Sequence, residues 1–196
     1  MWLHASVCFK YPVGFPTFAD RSFLSGNEQT GSEHITLFNA NEHSMKNIAH
    51  KKDLENILER IRRLTPESNR KWGKMNVNQM ICHLCDPLRG ALHERSFTDI
   101  SNPLYRTIGK WVFLYLFPFP KHAPTGVEFN QLKGSGTPVT GFEADRTSLI
   151  RLLNQLHNSK SGAGLAAHPL FGDLSYWEWG RITWLHLDHH LKQFGE

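Results

Sequence analysis

From residue 48 onward apolar side chains recur every three to four positions, and no comparable period precedes them. Ile48, Leu54, Ile57, Leu58, Ile61 and Leu64 share one face at 3.6 residues per turn, which predicts a helix over 47–64 that Pro66 ends. Val77, Met80, Ile81, Leu84, Leu88 and Ala91 predict a second helix over 76–92. Pro87 lies inside it and removes the donor that would reach the His83 carbonyl, so a bend is expected near His83. A third helix is expected from about residue 141, with Thr140 and Glu143 at capping-box spacing and Leu149, Ile150, Leu153 and Leu156 as its buried stripe. The last helix, about 175–193, has the clearest start: Ser175 and Glu178 form a capping box, and Leu174 and Trp179 are placed to staple it. Between the second and third helices, 102–121 is apolar, aromatic and part helical. Residues 122–139 are a loop punctuated by Pro124, Gly126, Gly134, Gly136 and Pro138. Four principal helices, one long crossover connection and no β-rich block predict an all-α fold, a four-helix bundle.

Residues 1–44 break this pattern. They hold Pro12, Pro16 and a polar Gly/Ser/Asn/Glu/Thr stretch over 25–33, and read as a loop-rich or disordered extension. Met45 is then a candidate natural start, with 45–196 as the single helical domain. A length of 196 residues fits one domain with a sizeable core. The longest apolar run, 111–119, falls short of the roughly 20 residues that span a bilayer, so it reads as a buried helix or an apolar lip and no membrane partner is expected. The net charge of +4 is spread out, its densest patch being Arg60, Arg62 and Arg63 at the end of the first helix. That patch reads as a solvated face near the negative end of the helix dipole. No basic stripe carries interleaved stacking aromatics, so no nucleic-acid partner is expected. Three cysteines and no secretory signal imply a reducing, cytoplasmic setting.

Histidine changes the picture. There are twelve, nine of them after Met45. On the last helix His186 and His190 share a face with Trp179, Ile182, Thr183 and Gln193. A face that served only the core would carry Leu or Ile there, because two neighbouring buried imidazoles cost free energy unless their nitrogens find partners. A metal ion satisfies one nitrogen of each ring, and the i,i+4 spacing lets both rings reach one ion. An HxxxH pair needs a third ligand from another helix. His83 is the best placed, mid-helix at the flank of the second apolar stripe, a position that permits but does not demand an inward ring. His189 points about 100° away from His190 and is not expected to be a ligand. Asp188, nearly opposite the ligand face, is expected to be solvated. His168, before Pro169, could line the site mouth but more readily shapes its turn. Cys82 and Cys85 bracket His83 in mid-helix, away from the N-terminal dipole that activates redox thiols. They read as two small buried hydrophobes.

These motifs resemble the DinB-like (DinB/YfiT-type) superfamily of metal-binding helical bundles, and an uncharacterised branch of it most closely. The matching stretches are Trp72-Gly73-Lys74-Met75 leading to Gln79-x-x-x-His83, and His168-Pro169-Leu170-Phe171-Gly172 leading to Glu178-Trp179-Gly180 and His186-x-x-x-His190-x-x-Gln193. The resemblance covers about residue 45 to the C-terminus and implies that His83, His186 and His190 hold one divalent metal ion. Zinc, nickel, manganese and iron are all compatible with imidazole. Three protein ligands leave positions open for water or substrate, the pattern of a catalytic site. The resemblance further implies a metal-dependent enzyme acting on a small-molecule substrate, either a thiol-S-transferase using a low-molecular-weight thiol or a hydrolase. A non-catalytic metal-binding or stress-related module is the alternative, and a homodimer is left open. Gln79 and Gln193, each one turn from a proposed ligand, are candidates for orienting an imidazole.

Overall fold

In the computed structural model the described residues are 45–116, 119, 126–160 and 164–196. The chain divides into two units, Met1–Ala40 and Asn41–Glu196. The loop-rich extension expected over 1–44 lies outside the described residues, as does Cys8.

Among the described residues every regular element is helical. The order is α1 (Lys51–Arg63), α2 (Val77–Ala91), a π-helical turn (Tyr105–Gly109) running into α3 (Lys110–Tyr115), two 3₁₀ turns (Val127–Phe129 and Gln131–Lys133), α4 (Phe142–Asn158) and α5 (Tyr176–Gln193). Both α1 and α2 pack against α4 and α5. Their apolar faces meet in one cluster built on Ile57, Ile61, Met80, Ile81, Leu149 and Leu153, all essentially without solvent contact. Among the described residues no helix is long and apolar enough to cross a membrane.

Local chemistry moves one expected helix start and gives another a different cap. Residues 47–50 do not join α1: the Asn47 N–H donates to Asp53, the Ala49 N–H to Asn47 Oδ1, and two further groups reach across to α5. The Ile48 N–H donates to the Gly180 carbonyl at 3.3 Å, and Asn47 Nδ2 donates to the Trp177 carbonyl at 2.9 Å. The Thr140–Glu143 box does not form. The Asp145 carboxylate takes its place, accepting from the Thr140 hydroxyl (2.7 Å) and from the Thr140 and Gly141 N–H groups (3.1 Å each). Glu143 turns outward to Arg146. The other two starts close with reciprocal side-chain bonds. Ser175 and Glu178 cap α5, and Asn76 and Gln79 cap α2. These caps supply acceptors to N–H groups that the first turn leaves unpaired, and they set the register of the two helices that carry His83, His186 and His190. Helix α2 continues through Pro87 to Ala91.

The charged residues also depart from expectation. Arg60 is 8% exposed and donates to Asp188 Oδ1 at 2.9 Å and to the Glu196 carbonyl at 3.0 Å. Neither Arg60 nor Asp188 is therefore solvated. The pair ties α1 to α5 and to the C-terminus, a tertiary contact that no single helix pattern reveals.

Candidate metal centre

Helices α2 and α5 lie side by side, and each presents histidine to the space between them. His83 comes from the middle of α2; His186 and His190 come from successive turns of α5. One ring nitrogen from each of the three lies within 4.8 Å of the others, so the group could hold a metal ion. His83 and His190 are buried, and His186 is partly exposed.

The hydrogen bonds on the outer side of the cluster decide which nitrogens face inward. His83 Nδ1 lies 3.1 Å from the Phe129 carbonyl, an acceptor, so Nδ1 carries the proton and Nε2 keeps its lone pair. A chain of two bonds does the same for His190. Gln193 Nε2 donates to the Trp72 carbonyl at 2.7 Å, which turns Gln193 Oε1 toward His190. His190 Nδ1 donates to that oxygen at 2.8 Å. Gly73 makes room for this chain: its φ is +80°, and a Cβ there would run into Gln193 Nε2. Both imidazoles thus have Nδ1 protonated and occupied on the outer side and the lone pair on Nε2, the tautomer seen in metal-bound histidine with an outer acceptor.

His83 Nε2 and His186 Nε2 are 3.1 Å apart, so with no ion between them the His186 N–H can donate to the His83 lone pair. Two nitrogens each about 2.0–2.1 Å from a tetrahedral ion stand about 3.3 Å apart, so this pair also lies near the spacing of two ligands of one cation. The electrostatics favour the same state. Burial pushes the pKa of His83 down and that of His190 down to about 3. Burial, followed by repulsion from the neighbouring imidazoles, lowers that of His186 well below the usual value. Neutral imidazole is the form that binds metal.

The remaining candidates fall into different places. Gln193 orients His190. Gln79 does not reach an imidazole; its Oε1 accepts from the Asn76 N–H at 2.9 Å and closes the start of α2. His189 is outside the cluster of three. It hydrogen-bonds the Phe119 backbone, and its ring packs on Phe119 and Trp72. His168 does shape its turn: Nδ1 accepts from the Leu170 and Phe171 N–H groups at 3.1 and 3.3 Å, and its backbone pairs with Gly172. It also lines the cavity beside the histidine cluster. Burial holds the thiols of Cys82 and Cys85 up at about 12, so both stay protonated and inert. Two contributors carried no side-chain signal, because the Phe129 and Trp72 carbonyls are backbone atoms. Phe119, stacked on His186 at 5.3 Å, was readable only as part of an apolar run.

Fold and site together define an all-helical protein with a largely buried three-histidine group that could hold a metal ion. The chain belongs to the family described as "Protein of unknown function (DUF1569)", whose model matches residues 44–196. Comparison with curated proteins and with solved structures gave no match.

Proposed function

We propose that His83, His186 and His190 bind one divalent metal ion in an open site, and that the protein is a metal-dependent enzyme of the DinB/YfiT-like type. The observation that carries this reading is the outward anchoring of His83 and His190, which leaves the other ring nitrogen of each for the cluster, where one ligand atom from each of the three histidines lies within 4.8 Å of the others. Bound there, a divalent ion would act as a Lewis acid that lowers the pKa of a coordinated water or thiol. The chain's own residues divide the remaining work. The Phe129 carbonyl and Gln193 hold the rings in their metal-binding tautomers. Phe119 covers His186 on one side and keeps bulk water from it. His168, whose Nδ1 is occupied, has its proton on Nε2 and offers a donor to a bound anion.

Within the enzyme reading, water as nucleophile makes a hydrolase and a low-molecular-weight thiol makes a thiol-S-transferase. A second reading, a metal-binding module without catalysis, draws on one observation: among the described residues, no Asp or Glu lines the cavity. A general base of the usual carboxylate kind is therefore lacking. Elemental analysis of protein purified from metal-replete cells tests the shared premise, with about one divalent ion per chain expected. Assays of the loaded protein against ester, amide and thiol-acceptor substrates then separate enzyme from module. Turnover that disappears in His186→Ala supports the enzyme, and full metal loading without turnover on any of them supports the module.

A further inference from the structure

The cavity that adjoins the three histidines encloses about 1200 Å³. Ligand pockets for drug-sized molecules commonly span about 300–1,000 Å³, so this space is far larger than a water or a small acid needs. Its walls away from the histidines are mostly apolar, with Ser96, Asn130 and Gln131 the neutral polar residues among them. Phe97 stacks on Phe129 with ring centroids 4.2 Å apart, and Phe113 packs on Phe171 at 5.4 Å. Leu84 and Leu88 form the α2 side. The charged wall residue Arg95 is already engaged, donating to Asp86 at 2.8 Å and to the Glu128 and Ser135 carbonyls. Lys74 and His93 are exposed where they meet the cavity. Asn130 Oδ1 already accepts from the Leu132 and Lys133 N–H groups, Gln131 Nε2 donates to Asp86, and Ser96 is exposed, so the polar side chains not already engaged or exposed are chiefly those of the histidine end.

The apolar surface does not stop inside. Ile100 and Tyr105 line the cavity and are nevertheless 61% and 43% exposed. Beyond them Leu104, Ile108 and Trp111 continue the patch at 61%, 62% and 53% exposure. A contiguous exposed apolar patch marks a binding surface more often than chance packing. Here it runs into the interior.

We infer that the ligand is an amphiphile, with a compact anionic head at the histidine cluster and an unbranched apolar chain lying along the Phe97–Phe129 wall toward Ile100. The head position rests on the metal reading above; the tail position rests on the cavity alone. The absence of any carboxylate on the described wall admits a negative head. The aromatic walls and the apolar mouth match a hydrocarbon tail, whereas a peptide-like thiol would leave its amides unpaired there.

Straight-chain hydroxamates of two, six and ten carbons, titrated calorimetrically into the zinc-loaded full chain, test this. Affinity should rise about threefold to fourfold per added methylene, which is the transfer free energy of a buried methylene expressed as a ratio. Ile100→Glu and Tyr105→Glu, both at exposed positions, should weaken the ten-carbon ligand at least tenfold and leave acetohydroxamate unchanged. Equal affinity at all chain lengths, or indifference to both variants, overturns the inference while leaving a metal centre intact. Straight-chain alkanols titrated into metal-free protein separate the two claims. A chain-length dependence in protein that takes up no zinc keeps the tail site and overturns the metal-bound head.

Discussion

On α5 the side chains of His186 and His190 turn inward, and on the segment 104–116 the side chains of Ile108 and Trp111 turn outward. In the first region two of the three imidazoles have an outer partner: the Phe129 carbonyl for His83, and Gln193 backed by the Trp72 carbonyl for His190. In the second, Leu114 alone is fully buried, and its neighbours on α3 meet water. Ordinary folding would place these residue types the other way round. The difference teaches where each region meets its cost. The histidine region is held by specific bonds and has room left for a cation. The apolar segment is held by Phe113 on Phe171 and Tyr115 on Trp177, while Ile108 and Trp111 stay exposed beside a cavity that Tyr105 and Phe113 line.

The sharpest way to break this comparison is to remove a ligand. His186→Ala should reduce bound metal from about one equivalent to near zero. It should also abolish the thermal stabilisation that metal gives the wild type, about 4 kcal/mol at a thousandfold excess over the dissociation constant. Metal-dependent melting curves of both proteins check this, and identical shifts would contradict it. Next in size is Gln193→Leu, which frees the outer nitrogen of His190. Losing such an orienting partner costs about 10- to 100-fold in metal affinity, and competition with a chromogenic chelator measures it. Gly73→Ala should act in the same direction, because the new Cβ displaces Gln193 and the φ of +80° disfavours an L side chain.

Acid should sharpen the contrast in the metal-free protein. His190 titrates near pH 3 and His168 near pH 4 in the folded chain, against about 6.5 when unfolded. Between those values the unfolded chain binds more protons. Stability is therefore complete above about pH 6.5 and declines as pH falls toward 4 and then 3. Urea midpoints at pH 7.5, 6 and 5 should fall in that order, and a constant midpoint would contradict the buried neutral state. The smallest effect belongs to the apolar segment. Ile108→Glu should alter stability by no more than about 0.5 kcal/mol, as for an ordinary surface change, and should leave metal content unchanged. A large loss of stability would mean that this side chain is covered.

The helices of 45–196 were largely legible because their signals are local. Apolar spacing marked α1, α2, α4 and α5, and the Ser175–Glu178 box formed where the spacing placed it. Asn76–Gln79 has the same spacing pattern, which ties Gln79 to the helix start rather than to an imidazole. Other features depend on what lies across the fold. Asp145 displaced Glu143 at the start of α4 by accepting from Thr140. Arg60 and Asp188 found each other between α1 and α5. A helical wheel puts His83 at a flank, and the neighbouring loop that brings the Phe129 carbonyl within reach decides how its ring turns. The i,i+4 pair of His186 and His190 was readable from one helix; the carbonyls that orient the cluster were not, since backbone acceptors leave no mark on residue identity.

The central claim is that three imidazoles from α2 and α5 share one ion and leave it open. X-ray absorption on zinc-loaded protein tests it most directly. The expected spectrum has three imidazole nitrogens at about 2.0–2.1 Å and a light exchangeable ligand, reduced to fewer imidazoles or to free zinc in His83→Ala. A spectrum with sulfur ligands from Cys82 or Cys85, or one that His83→Ala leaves unchanged, would contradict it.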